Sequence, residues 1–117
     1  MTYFRAAAAA LIAIAPISAV YAHHGWSSYD ETKPVTLTGA LYAVDWGNPH
    51  GTARMTWQGR RWDVVLAPVS RMEARGLSQD MIAKRQRVTI TGYVRKDGTP
   101  EMRLERLRIG ERTVEFR

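Results

Sequence analysis

From residue 35 onward, apolar residues recur at every second position, with one interruption. In VTLTGALYAVDW (35–46), Val35, Leu37, Leu41 and Ala43 share one face and Thr36, Thr38, Tyr42 and Val44 the other, the pattern of a long half-buried strand. Gly39 inside this run predicts a bulge or a sharp coil of the strand. Gly47-Asn48-Pro49 then ends it. GTARMTW and RRWDVVLA flank Gln58-Gly59, a hairpin whose glycine supplies the positive φ that a tight turn requires. RVTITGYV (87–94) alternates again, Lys96-Asp97-Gly98 turns the chain, and MRLERLRI and RTVEF provide the last strands.

The interruption lies after Pro68, where the period of two is lost. Ser70 precedes Glu73 by three residues, a capping-box spacing, and Gly76 is placed to end the helix with Leu77 folding back on it. Ser78 to Ala83 forms a second short turn of the same kind. The order of elements predicts a mainly β fold: a small OB-like barrel of five to six strands, with one short helix between strands three and four. A closed barrel also removes exposed strand edges. An open antiparallel sheet with a helix on one face is the alternative.

Residues 1–22 depart from this pattern. Arg5 is followed by an apolar run from Ala6 to Ala15 and by small residues ending in Val20-Tyr21-Ala22, the layout of a secretory signal peptide. The run is shorter than the roughly 20 residues of a spanning helix and rich in alanine, so cleavage after Ala22 leaves no permanent membrane anchor. The expected organisation is a signal peptide (1–22), an irregular N-terminal arm (23–34) and an OB-like domain (35–117), with the product periplasmic or secreted. There are no cysteines, which excludes disulfides and thiolate metal sites. Without Arg5, 16 basic residues stand against 11 acidic ones, so the processed chain carries about +5 and favours anionic partners. For an exported chain these are envelope polymers or membrane surface rather than nucleic acid.

The candidate chemistry rests on three histidines. His23 and His24 open the arm, and His50 follows the first strand in WGNPH. Cleavage after Ala22 would give His23 a free α-amine with a pKa near 8, far easier to deprotonate for a metal than an amide. That amine and the His23 ring close a chelate on one ion, and a third nitrogen from His50 completes a set that suits Cu(II). His24 offers a rival Cu(II) geometry through the amine and the intervening amide nitrogen. Zinc with three histidines and an open water position is a further option. A terminal His-His also reads as an exposed tail, and His50 as a ring that bonds the backbone beside its turn.

Around these, Trp26 is the residue expected to pin the arm to the barrel, and Asp45 is placed to orient a histidine ring, beside Trp46 and Asn48. Trp62, in phase with Val64 and Leu66, reads as core. Arg54, Arg60, Arg61 and Arg95 interleave with aromatic residues, and a binding module for an anionic envelope polymer or protein, without metal, is the alternative function. Arg103, Arg106, Arg108 and Arg112 alternate with glutamates and read as a solvated strand surface. No nucleophile elbow, phosphate loop or close carboxylate pair is visible, so an enzyme is the least favoured class.

The segments AHHGWSSYD, KPVTLTG, WGNPH, LAPVSRMEARGL and VTITGYVRKDG together resemble the exported bacterial family known as domain of unknown function 6152. The family pattern falls on His23, His24, Trp46, Asn48, Pro49 and His50, with Gly47 at its variable position. The resemblance implies an exported small β-barrel with all three histidines inside its motif, and it implies no activity.

Overall fold

The structure is a computed structural model and describes residues 25–117. The expected signal peptide (1–22) and both His23 and His24 lie outside the described residues. After a 3-10 turn at Trp26–Ser28, seven strands follow: β1 (Val35–Ala40), β2 (Tyr42–Asp45), β3 (Thr52–Trp57), β4 (Arg60–Val65), β5 (Arg87–Val94), β6 (Glu101–Ile109) and β7 (Arg112–Glu115). Two short helices, α1 (Val69–Ala74) and α2 (Gln79–Ala83), separate β4 from β5.

The strands pair in the order β1-β5-β6-β4-β3-β2, with β7 added to β6. All pairs are antiparallel except β4 with β6, which run parallel through Asp63–Glu101, Val64–Met102 and Val65–Arg103. Because β1 and β2 are halves of one kinked strand, the two ends of this path are joined through Leu41 and the sheet curls round on itself. The protein is mainly β and OB-like, with its helices between the third and fourth barrel strands, as the periodicity predicts. Among the described residues no helix is long and apolar enough to cross a membrane.

The kink does not fall at Gly39. Register between β1 and β5 is continuous from Val35 to Ala40, and the irregularity lies between Tyr42 and Asp45, where Ala43 takes a positive φ of 49°. The inward face therefore changes phase: Leu41 is fully buried, Ala43 faces out, and Val44 packs against the core. Strict alternation cannot continue through a residue of opposite backbone handedness.

The helix start also differs from the expectation. Pro68 is the N-cap of α1 and its carbonyl accepts from the amides of Arg71 and Met72, so Ser70 lies inside the helix and cannot cap it. Glu73 is used elsewhere, accepting the Trp46 indole N–H at 3.1 Å. The C-terminus follows the sequence reading: Gly76, at φ 90°, donates to Glu73 and Leu77 to Met72, the paired bonds of a Schellman end, and Leu77 is buried. Met72, Leu77 and Ile82 thereby close one end of a core that includes Met55, Trp62, Val64, Ile90, Leu104 and Phe116. Three arginines staple α1 to the C-terminal strand: Arg71 donates to the Phe116 carbonyl, Arg75 to Glu115, and Arg112 back to Gly76.

At the β3–β4 turn both Gln58 (φ 53°) and Gly59 (φ 70°) are left-handed, the signature of a type I′ hairpin. Glutamine bears a steric cost there that asparagine largely avoids. Gln58→Asn is expected to stabilise the fold by about 0.5–1 kcal/mol, read as a higher thermal midpoint; an unchanged or lower midpoint would contradict the turn assignment.

Candidate functional site

The loop between β2 and β3 carries WGNPH and is fixed at both ends. Trp46 is tied to Glu73 of α1, while Gly51 donates to Ala67 and accepts from Leu66. A Cβ at Gly51 would stand 2.9 Å from Met72 Cε and 3.3 Å from Leu66 Cδ1, so a larger residue there would have to displace two buried side-chain ends. The Asn48-Pro49 peptide between these anchors is cis.

Beneath this loop lies a cavity of about 540 Å³, walled by Asp45, Gly47, Asn48, Pro49, His50, Thr52, Val65, Tyr29 and Glu101. An adjoining depression of about 430 Å³ shares Asp45, Thr52, Val65 and Glu101 and adds Arg54 and Asp63. Together they occupy the face over the second and third barrel strands, flanked by the first–second and fourth–fifth loops, where OB folds hold their ligands. The walls mix apolar residues, Pro49 and Val65, with Asp45, Glu101 and His50.

The arm supplies one wall. Tyr29 forms an antiparallel bridge with Arg95, Asp30 N–H donates to Val94 and Lys96 N–H to Ser28. Tyr29 is buried, and its hydroxyl donates to Glu101 at 2.6 Å, while Arg95 reaches the same carboxylate at 3.1 Å. Burial, and then the Glu101 bond, push the Tyr29 phenol well above its ordinary value, so it stays a neutral donor at physiological pH. Trp26 lies on the same assembly. Its ring meets Tyr93 and Tyr29 edge-on, with centroids 5.8 and 6.5 Å away, and the guanidiniums of Arg103 and Arg117 each stand 4.3 Å from its centroid. Arg117 also pairs with Glu31 of the arm.

The structure thus brings Asp45, Asn48 and His50 to one cavity, with Trp46 holding its loop and Trp26 holding its arm wall. Asp45 turns its carboxylate towards Gly47, where an added Cβ would lie 3.1 Å from Oδ1. Among the described residues no group of three or more histidine, aspartate or glutamate side chains is placed to hold a metal ion.

The four arginines expected to form one surface for an anionic partner divide into two kinds. Arg54 faces Asp63 at 3.6 Å, and Arg95 is held between Asp97 and Glu101. Arg60 and Arg61 are exposed on the β3–β4 hairpin, Arg60 lying 5.8 Å from the Trp62 ring. The later arginines are also more engaged than an evenly solvated strand would be: Arg106 pairs with Glu115 and Arg103 packs on Trp26.

Tyr29, Thr52, Val65 and Glu101 are cavity residues outside the set that the sequence pointed to. The pairing of β4 with β6 is what carries Glu101 to Asp63, and no local period signals it.

The family of unknown function (DUF6152) matches residues 10–103, a span that includes the arm, the WGNPH loop, both helices and the start of β6. The chain belongs to this family. No curated protein matches it. In this DUF6152 chain the matched segment contains every wall residue of the cavity, from Tyr29 to Glu101.

Proposed function

We propose that the protein is an exported metal-binding protein, with Cu(II) as the best-suited ion, held by the amine and ring of a mature N-terminal His23 and by His50. The observation that carries this reading is the shared cavity: Tyr29 of the arm and His50 of the loop are walls of the same 540 Å³ space. His23 stands six positions before Tyr29, and a chain covers at most about 3.5 Å per residue, so the chain can carry the amine no farther than about 20 Å from that wall. Nitrogen donors of this kind favour copper over the other divalent first-row metals. Asp45 adds a carboxylate to the same cavity, which favours a cation there. His24 serves the rival chelate, and zinc is the alternative ion. The function is binding, and no catalytic step is assigned.

A metal-free module for an anionic envelope partner on Arg54, Arg60, Arg61 and Arg95 draws less support, because Arg54 and Arg95 already face carboxylates.

Mass spectrometry of the exported protein should find His23 as its first residue. In calorimetric titration of that chain, His50→Ala is expected to weaken Cu(II) binding about tenfold or more, equivalent to about 1.4 kcal/mol, with His24→Ala within about threefold of the parent. A different first residue, or equal affinities for the parent and His50→Ala, would overturn the shared site.

A further inference from the structure

On the side of the barrel formed by β1, β5, β6 and β7, the outward residues stand in rows across the strands. The segments VTLTG and VTITG pair antiparallel, with Thr36 opposite Thr91 and Thr38 opposite Thr89. Continuing across β6 and β7, one row reads Thr36, Thr91, Arg106, Glu115 and the next Thr38, Thr89, Arg108, Thr113. The rows differ in charge at one position. In the first, Glu115 takes Arg106 in an ion pair at 2.6 Å. In the second, threonine stands where the carboxylate would be.

A shallow depression of about 340 Å³ lies at the second row, lined by Thr38, Thr89, Arg87 and Arg108 with Val88 and Gly110. It contains no carboxylate, whereas the two depressions on the opposite loops both contain Asp45 and Glu101. Among the described residues no ion pair engages Arg87 or Arg108. Arg108 Nε donates to the Gly110 carbonyl at 3.2 Å, which fixes its plane and directs its terminal nitrogens elsewhere. The Thr38 and Thr89 hydroxyls are 2.9 Å apart, so one donates to the other and the second keeps a hydrogen to give.

We infer that this threonine–arginine depression is a binding site for a phosphate group. Two planar guanidiniums and one hydroxyl donor match the several acceptor oxygens of a phosphate, for which arginine forks are suited. The positive charge of the chain draws such an anion in, and the absent carboxylate in this row lets it stay. The inference is independent of the metal reading and uses none of its residues.

The test is a nuclear magnetic resonance titration of the metal-free protein with inorganic phosphate, and in a second arm with phosphatidylcholine vesicles containing phosphatidylglycerol. Shifts are expected at the amides of Thr38, Arg87, Thr89 and Arg108. The double variant Arg87→Ala/Arg108→Ala should raise the apparent Kd about tenfold or more, and Lys33→Ala, an exposed cation ahead of β1 that does not line the depression, should leave it within about twofold. A response to free phosphate identifies a soluble ligand; a response confined to the vesicles identifies a lipid headgroup, and either supports the site. Silence in both arms, or an equal loss in Lys33→Ala, would overturn it.

Discussion

Gly92→Ala is expected to destabilise the protein by about 3 kcal/mol, the upper end of what overpacking a core site costs. Gly92 lies in β5 where its register with β6 shifts, and a Cβ there would stand 2.6 Å from the Arg103 carbonyl oxygen, 3.0 Å from Leu104 Cδ2 and 3.1 Å from Met102 Cγ. A side-chain end can swing aside, but that carbonyl belongs to the strand that also pairs with β4 and β7, so it cannot give without disturbing three partners. Gly39 is the internal control. Its added Cβ would meet only the flexible end of Met55, at 3.4 Å, and Gly39→Ala should cost far less. Urea unfolding of the two variants checks this through the midpoints at unchanged slope. Equal midpoints would show that the close approach of β5 and β6 is not what requires glycine.

Trp26→Ala is expected to free the arm. The ring has two guanidiniums at 4.3 Å and edge contacts with two tyrosines, interactions worth about 0.5–2 kcal/mol each when partly shielded from water. Their loss, about 2–4 kcal/mol for the arm as a unit, falls mainly on local docking rather than on the barrel core. Hydrogen exchange should therefore accelerate at Asp30 and Lys96, whose amides bond Val94 and Ser28, and remain slow at Ile90 and Leu104. The copper affinity should fall with it, since the arm is what brings the proposed amine towards His50. Uniform acceleration across the barrel would mean that Trp26 supports the core instead, and no change at all would mean that the arm is held by its backbone bonds alone.

The sequence conveyed local pattern well and long-range partnership poorly. Hairpin β3–β4, the strands β5 and β6 and the Gly76 helix end are legible because each depends on a few neighbouring residues: Gln58-Gly59 for the turn, alternation for the strands, Gly76-Leu77 for the Schellman bonds. The kink was misplaced because Gly39 is the permissive residue, whereas the bend is made by Ala43, an ordinary residue held left-handed by its place between β1 and β3. Glu73 matched a capping spacing but serves Trp46, a partner 27 residues away in the chain. The cavity was half legible: Asp45, Asn48 and His50 come from one contiguous motif, but Tyr29 and Glu101 join them only through the arm bridge and the parallel β4–β6 pairing. The threonine–arginine rows were present as two VTxTG segments, and only the register between them shows that their hydroxyls meet.

The central claim is that the mature N-terminus and the WGNPH loop share one ion, and pulsed electron paramagnetic resonance of the chain beginning at His23, loaded with equimolar Cu(II), tests it most directly. The account predicts signals from two coordinated imidazoles in the parent chain and from one in His50→Ala. Identical imidazole signals in the two proteins would contradict it, leaving His50 a wall of the cavity and the histidine pair a self-sufficient chelate.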